Sequence, residues 1–254
     1  MSNSTNDTPV AATRRQRPII AIDGPAGAGK STLAAHLARR FGFLNLETGA
    51  MYRALALKAI ENDLDFDEEQ PLLDLAQETR IRLEPQLEGN RVLLDGTDVS
   101  RRIRDTDVTA AASRVSVHPG LRAWMVAQQR ALGANGGVVM EGRDIGTAVF
   151  PDAEVKIFLD AAPEVRGDRR YRQVILPPDP DAHPGTAAPS TPEQVAAQKK
   201  ILAELKERDE RDRNRAQSPL RPAADAVILD STTLTLDQVL EQAEQIVRSH
   251  LPPE

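Results

Sequence analysis

The chain has 254 residues, of which 40% are hydrophobic and 28% charged, so it can bury a full core in one large domain or in two. It contains no cysteine, which excludes a disulfide framework, a thiolate zinc site and a cysteine nucleophile. The formal net charge of −6 predicts no general attraction to nucleic acid, so any anion is expected to bind at a local basic cluster.

The first 17 residues are polar and lack an apolar segment of the signal-peptide type. We therefore expect a disordered tail over residues 1–17. No run of 18 apolar residues occurs in the sequence, so we expect no transmembrane helix, no membrane partner and a cytoplasmic location.

The first predicted elements are a strand, a turn and a helix. Ile19–Asp23 (IIAID) is a short apolar run that stops at a glycine-rich turn, as a buried parallel strand does. Beyond the turn, Leu33, Leu37 and Phe41 recur every four residues, which indicates the apolar face of a helix. Gly42 follows at the position where a glycine commonly ends a helix.

Further short apolar segments, separated by helical patterns, predict strands at residues 43–46, 137–141, 155–160 and 226–230. Strands that alternate with helices form a parallel sheet, and ligands bind beyond its carboxyl edge. Thr48 is predicted to N-cap the second helix, and Thr235 with Gln238 forms a capping box before the last one. The predicted fold class is therefore α/β.

Two segments interrupt this alternation. Residues 63–112 contain short apolar runs separated by a turn signal at 88–90, which predicts a small antiparallel excursion. Residues 163–215 are rich in arginine, and the proline content of residues 176–190 disfavours packed regular structure. We interpret the first segment as an inserted lobe on the substrate side and the second as a lid with a proline-rich tip.

The turn after the first strand matches the phosphate-binding pattern G-x-x-x-x-G-K-[ST] in full, from Gly24 to Ser31 (GPAGAGKS). Between a strand and a helix, such a loop binds nucleotide phosphates through backbone N–H groups. Lys30 is expected to contact the β and γ phosphates of ATP, and the Ser31 hydroxyl is the expected ligand of Mg²⁺. Glu141, at the end of a later strand, either holds Mg²⁺ through water or is a structural acid. The predicted ATP-binding residues are Gly24, Pro25, Ala26, Gly27, Ala28, Gly29, Lys30, Ser31 and Thr32.

A phosphate-binding loop alone does not name a reaction, because GTPases, transport ATPases and small-molecule kinases all contain one. The sequence has neither the N-K-x-D pattern of guanine recognition nor the L-S-G-G-Q pattern of transporters. A switch or a motor therefore loses support, and other motifs have to decide the reaction.

Arginines are clustered in the second half of the chain. In the segment 206–215 (KERDERDRNR), the spacing predicts one helix face that carries Arg208, Arg211, Asp212 and Arg215. Taken alone, this pattern also fits an ordinary solvated helix with ion pairs. Further arginines precede the proline-rich tip or follow the strand at 137–141, namely Arg166, Arg169, Arg170 and Arg143. So many guanidinium groups favour phosphorylated substrates, because fixed positive charge stabilises a phosphoryl group in transfer.

Together these motifs resemble those of the bacterial cytidylate kinases. The matching pieces occur in the family's order from about Pro18 to the C-terminus, as IDGPAGAGKST, LETGAMYR, AASRVSVHPGLR, EGRDIGT, VKIFLDA, KERDERDRNR and LDSTT. The resemblance implies a P-loop kinase fold with a five-stranded parallel sheet flanked by helices. It assigns the core to residues 18–62, 113–162 and 216–254, a monophosphate-binding insertion to 63–112 and the lid to 163–215.

The resemblance also implies a reaction. ATP, with Mg²⁺ as cofactor, would phosphorylate CMP or dCMP to give CDP or dCDP and ADP, in a protein expected to be a monomer without a nucleic-acid partner. The implied catalytic residues are Lys30, Arg143, Arg208 and Arg215. The implied CMP-binding residues are Arg53, Arg143 and Arg215 for the phosphate, Arg208 and Asp212 for the ribose, and Thr48, Ser113, Arg122 and Asp144 for the cytosine.

The cytosine assignment also has a chemical reason. Cytosine presents an amino donor and a ring-nitrogen acceptor, which a carboxylate such as Asp144 and a donor such as Arg122 complement. Uracil reverses this pattern and would leave buried groups unpaired, at about 1 to 3 kcal/mol each. Two alternatives stay open: another nucleoside monophosphate kinase, such as one that accepts UMP, and a regulatory module that binds ATP without turnover.

Overall fold

The computed structural model describes residues 15, 17–86, 89–175 and 191–251. Its strands are, in chain order, β1 (Ile19–Asp23), β2 (Leu44–Glu47), β3 (Ile81–Gln86), β4 (Gly89–Leu94), β5 (Thr97–Asp98), β6 (Val138–Gly142), β7 (Val155–Asp160) and β8 (Val227–Asp230). One parallel sheet has the order β2-β6-β1-β7-β8. This confirms the predicted α/β fold with five parallel strands.

Helices cover both faces of this sheet. They are α1 (Lys30–Phe41), α2 (Thr48–Glu61), α3 (Glu69–Gln77), α4 (Thr106–Val115), α5 (Pro119–Gly133), α6 (Pro163–Ile175), α7 (Pro192–Arg213) and α8 (Leu236–His250), with a 3-10 turn at Arg102–Arg104 and a π turn at Ile145–Val149. Within the described residues, none of the helices is long and apolar enough to cross a bilayer.

Two apolar cores lie on opposite faces of the sheet, and β1 contributes to both. Ile19 and Ala21 pack into the core formed with α2, α4 and α5, whereas Ile20 and Ile22 pack into the core formed with α1 and α8. Successive side chains of a strand point to opposite faces, so a strand that is buried on both faces is apolar at every position. The apolar run from Ile19 to Ile22, closed by Asp23, therefore predicted β1 with its observed bounds.

The bounds of β7 are also as predicted, whereas those of β2, β6 and β8 differ from the predicted ones by one residue at one or both ends. Strand pairing decides these ends: the N–H group of Leu44 donates to the carbonyl of Gly137, 2.9 Å away, just before β6 begins. The predicted end of the first helix is confirmed, because Gly42 has a left-handed φ of 64° and its N–H group donates to the carbonyl of Ala38.

The predicted N-cap at Thr48 is wrong. Helix α2 begins at Thr48 itself, and the preceding residue, Glu47, makes no capping hydrogen bond with its side chain. The Thr48 hydroxyl instead donates to the carbonyl oxygen of Glu141 at 2.7 Å. Because Thr48 is buried beside the end of β6, its hydroxyl takes this nearby acceptor and ties α2 to the sheet.

The predicted antiparallel excursion is present as a small sheet of β3, β4 and β5. Asn90 fixes it to the main sheet, because its side chain donates to the carbonyl of Asn45 at 2.7 Å and accepts from the N–H group of Glu47 at 2.9 Å. The function assigned to residues 63–112, binding of the monophosphate, stays a prediction.

The arginine-rich segment contains α6 and α7, which pack against each other. Helix α7 has the predicted start, since Thr191 and Gln194 form a reciprocal capping box. The prediction that Arg215 lies on this helix is wrong, because α7 ends at Arg213. The chain turns there, and the Arg215 guanidinium reaches back to Asp212 at 3.5 Å. The predicted proline-rich tip, residues 176–190, lies outside the described residues.

Most of the predicted N-terminal tail also lies outside the described residues. Its last part contacts the core: the Arg15 guanidinium pairs with Asp152 at 2.9 Å, and Arg17 donates to the carbonyl of Gly42 at 2.7 Å. At the other end of the chain, the predicted capping box of Thr235 and Gln238 is confirmed at the start of α8.

Candidate active site

The turn between β1 and α1 has a backbone that requires glycine at residue 24. The φ angle of Gly24 is 150°, and a Cβ atom there would lie 2.0 Å from the carbonyl oxygen of Leu159 in β7. The turn therefore lies directly against the end of β7, and it leads into the N-terminus of α1 at Lys30. A glycine-rich turn at a helix N-terminus directs backbone N–H groups at one point and binds anions there.

Three cationic side chains hold the carbonyl groups of this turn. Lys30 Nζ donates to Pro25 at 2.8 Å, Arg166 Nη1 to Ala26 at 2.9 Å, and Arg169 Nη1 to Ala28 at 3.3 Å. The C=O and N–H groups of a trans peptide point in opposite directions. With these carbonyl groups bonded, the N–H groups of the turn are left as donors for an anion.

The centre of the site contains buried charges with shifted pKa values. Burial, followed by the nearby Arg143, lowers the pKa of Lys30 to about 7, and burial, followed by Glu47, raises the pKa of Glu141 to about 7. Burial also raises the pKa of Asp23 to about 6, although this carboxylate accepts hydrogen bonds from the N–H groups that follow Asp144. Perturbed groups that cluster in this way are typical of catalytic sites.

The oxygen donors beside Lys30 fit a magnesium ion. The Ser31 hydroxyl lies next to Glu141 and lowers its pKa, while Glu141 Oε1 is buried without a hydrogen-bond donor among the described residues. These two oxygen donors suit Mg²⁺, which commonly takes one or two protein oxygens and completes its shell with phosphate and water.

Four arginines from different elements surround the space beside Lys30. Asp212 on α7 accepts from Arg143 Nε at 3.0 Å and pairs with Arg215 at 3.5 Å, while Arg53 on α2 pairs with Glu47. Burial, followed by Arg143, lowers the pKa of Arg208 to about 10, and Arg53 acts on it in the same direction. The structure thus brings the predicted phosphate and ribose residues into one basic cluster.

This basic cluster has unmet hydrogen-bonding capacity. Within the described residues, the Nε groups of Arg53, Arg208 and Arg215 are buried and have no acceptor. A buried donor without an acceptor costs free energy, and buried polar groups in native proteins are nearly always paired. An anion that accepts hydrogen bonds in this space would complete the cluster.

Three of the four predicted base-binding residues lie in two contacts near the cluster, and the fourth, Thr48, bonds to Glu141. Arg122 Nη2 pairs with Asp144 Oδ2 at 2.5 Å, and Arg122 Nη1 donates to the carbonyl of Ser116 at 3.2 Å. The Asp144 side chain makes no capping hydrogen bond to the π turn that follows it. Ser113 Oγ accepts from Arg211 at 2.7 Å, which links α4 to α7.

Comparison with known proteins decides the family. The family model described as "Cytidylate kinase" matches residues 20–249. The chain belongs to the cytidylate kinase family. A cytidylate kinase of Solibacter usitatus is 46% identical over 95% of this chain and 97% of its own length, and one of Vibrio cholerae is 44% identical over 92% and 97%. One of Geobacillus kaustophilus is 45% identical over 93% and 99%.

The structure brings most of the predicted site residues together. Lys30, the glycine-rich turn and the basic cluster share one site, whereas Ser31 and Thr32 lie exposed at its edge. Sequence reasoning did not name Glu47 or the contacts of Arg166 and Arg169 with the turn. The sequence contained a signal for Glu47: this carboxylate ends β2, and the carboxylate of Glu141 lies in the same way near the end of β6. The sequence contained no signal for the two arginine contacts, because they join residues about 140 positions apart in the chain.

Proposed function

We propose that the protein transfers the γ-phosphoryl group of ATP to CMP or dCMP, giving ADP and CDP or dCDP. One observation carries this proposal: the P-loop lysine lies within electrostatic reach of the arginine that follows β6 and of an arginine on α7. Arg143 and Arg208 both lower the pKa of Lys30. Cations of the ATP side and of the predicted monophosphate side therefore face the same space, where a phosphoryl group in transfer would carry negative charge.

The proposed roles follow from this arrangement. The N–H groups of the turn and Lys30 would hold the ATP phosphates, and Arg53, Arg143 and Arg215 would hold the phosphate of the acceptor. Asp212 would accept hydrogen bonds from sugar hydroxyls beside Arg208. The fixed guanidinium groups need no reorganisation during transfer, so their charge stabilises the transition state more than mobile water would.

The proposed base specificity depends on Arg122 and Asp144, with Ser113 and Thr48 nearby. In the nucleotide-free protein these two charged side chains satisfy each other. Cytosine would insert its amino donor toward Asp144 and its ring acceptor toward Arg122, whereas uracil presents the opposite pattern.

Magnesium is part of the proposal. Ser31 would be its ligand, with Glu141 close enough to act through water. When bound, the ion would neutralise charge on the β and γ phosphates. Lys30 and the arginines then position the donor and the acceptor.

The remaining parts of the proposal concern the rest of the chain. Residues 63–112 would close over the monophosphate, and residues 163–215 would act as the lid that excludes water. We propose a monomer that acts in the cytoplasm on free nucleotides.

A panel of acceptors tests the proposal. Purified protein with ATP and Mg²⁺ is offered CMP, dCMP, UMP or AMP, and ADP release is measured. We expect CMP and dCMP to increase ADP release strongly over ATP alone and UMP and AMP to be poorer. Strong preference for UMP or AMP would favour another nucleoside monophosphate kinase, and ATP binding without any stimulation would favour a non-catalytic module.

A further inference from the structure

Arg166 on α6 joins the glycine-rich turn to α7. Its side chain is 1% exposed, and its Nε donates to the carbonyl of Ala161 at 2.9 Å. Its Nη1 lies 2.9 Å from the carbonyl oxygen of Ala26 and 2.6 Å from Oδ2 of Asp209. This one nitrogen therefore donates a hydrogen bond to the P-loop and forms an ion pair with a carboxylate on α7.

Asp209 is a buried carboxylate whose ion-pair partner is Arg166. Its side chain is 3% exposed, and its other oxygen, Oδ1, has no hydrogen-bond donor among the described residues. A buried carboxylate needs a cation close by. Asp209 follows Arg208 directly and precedes Asp212 by three residues, so it shares one turn of α7 with two residues of the basic cluster.

The backbones around Arg166 are also in direct contact. A Cβ atom on Gly27 would lie 3.3 Å from the Cβ of Arg166, and one on Gly167 would lie 3.1 Å from Leu202 on α7. Helix α6 is therefore packed tightly between the P-loop and α7. Close-packed contacts transmit small displacements instead of absorbing them.

We propose that Arg166 and Asp209 are positioning residues that couple the ATP site to the monophosphate site. A nucleotide that orders the P-loop at Ala26 also orders Nη1 of Arg166, which fixes Asp209 and the turn that carries Arg208 and Asp212. Coupling of this kind is reciprocal, so each nucleotide increases the affinity for the other by the same factor. The inference rests on the proposed function, because it requires both nucleotides to bind.

The test measures this coupling in the intact chain with Asp209→Asn. The dissociation constant of a non-hydrolysable ATP analogue is determined by calorimetry with and without saturating CMP. The coupling ratio is the dissociation constant of the analogue without CMP divided by that with CMP. We expect this ratio to be at least about five in the wild type and less than about two in Asp209→Asn. A residue that acted only on stability would leave this ratio unchanged.

The matched control is Lys206→Gln. Lys206 pairs with Glu164 at 2.9 Å and so also links α7 to α6, but the two side chains are 52% and 65% exposed and the P-loop is not involved. We expect this variant to keep the wild-type ratio. Asp209→Glu is a second variant, which keeps the charge but displaces the carboxylate; its ratio should fall below that of the wild type.

Three results would overturn the inference. The first is a coupling ratio near one in the wild type, the second is equal coupling ratios in Asp209→Asn and Lys206→Gln, and the third is a coupling ratio in Asp209→Glu as high as that of the wild type. Circular dichroism checks that each variant is folded. If Asp209→Asn does not fold, the coupling ratio of Asp209→Glu decides the test. If CMP stimulates no ADP release in the wild type, the proposed function fails. If turnover is normal and only the coupling is absent, the inference alone fails.

Discussion

At the residue scale, the pair of Arg122 and Asp144 combines a structural role with a proposed recognition role. Their side chains are 2% and 8% exposed, so each charge depends on the other in the nucleotide-free protein. Removing one partner of such a pair leaves an uncompensated buried charge, which typically costs about 3 to 5 kcal/mol. Substitutions here have to separate loss of stability from loss of recognition.

Asp144→Asn makes this separation, because it keeps the shape of the side chain and removes its charge. We expect kcat/KM for CMP to fall at least about tenfold, since the amide cannot serve both Arg122 and the cytosine amino group. The dissociation constant of ATP should stay unchanged. Asp107→Asn is the control, because Asp107 pairs with Arg102 at the surface at 2.6 Å. Unaltered CMP kinetics in Asp144→Asn would remove the base assignment.

The lowered pKa of Lys30 predicts that the protein takes up protons when it binds ATP. Its pKa of about 7 in the nucleotide-free protein leaves it mostly neutral at pH 8. The phosphates of ATP favour the charged form and raise this pKa, and they also raise the pKa of Glu141, which is about 7. Both groups therefore take up protons at pH 8, whereas at pH 6 both are already largely protonated.

Calorimetry in buffers of different ionisation enthalpy measures this uptake. In magnesium-free solution we expect up to about one proton more per ATP in the wild type than in Lys30→Arg at pH 8, and little difference at pH 6. Arginine stays charged throughout, and the protons of ATP itself are common to both proteins. Net proton release by the wild type relative to Lys30→Arg at pH 8 would contradict the pKa shift.

At the scale of elements, the position of the P-loop depends on its close approach to β7. Gly24 has no room for a side chain, whereas Gly42 at the end of α1 has a left-handed φ of 64° and no atom within 4 Å of the point that a Cβ would occupy. The two glycines therefore share a positive φ and differ in the space around them. This makes them a matched pair for substitution.

We expect Gly24→Ala to weaken ATP binding at least about tenfold, because the turn has to move away from Leu159 and its N–H groups then diverge. Gly42→Ala should cost only the strain of a left-handed alanine, about 1 kcal/mol of unfolding free energy, with ATP binding unchanged. ATP titration and chemical denaturation of both variants measure the two quantities. Equal ATP affinity in both variants would show that the approach to β7 does not position the turn.

At the scale of the whole molecule, an acidic chain holds a buried basic cluster. The net charge is −6, yet Arg53, Arg143 and Arg170 all disfavour the charged form of Arg208. Like charges held together in the absence of an anion lower the stability of the nucleotide-free protein. Active sites are commonly destabilised in this way relative to a packed apolar alternative.

Arg208→Met is therefore expected to raise the unfolding free energy of the nucleotide-free protein by about 1 kcal/mol and to lower kcat at least about 100-fold. In the wild type, CMP at 100 times its dissociation constant should raise the unfolding free energy by about 2.7 kcal/mol. Arg213→Met, on an exposed part of the same helix, is the control and should change neither quantity. A less stable Arg208→Met protein would mean that the cluster is not strained.

The P-loop and the central strands could be predicted because their signals are local. Strand β1, which is buried on both faces, is apolar up to Asp23 at its end, and the P-loop combines its glycines with Lys30 in one short segment. Residue order and spacing carry this information without any knowledge of distant contacts. The family resemblance added the candidate residues of the basic cluster.

What the sequence alone determined is the α/β class, the phosphate-binding turn and the presence of grouped arginines. Only the tertiary structure decided which acceptor each side chain takes: Thr48 bonds to Glu141 instead of capping α2, and Arg166 bonds to Ala26 and Asp209. The physical reason is that a hydrogen bond depends on which buried groups lie within about 3 Å of each other. For residues far apart in the chain, that distance is set by packing of the sheet and helices.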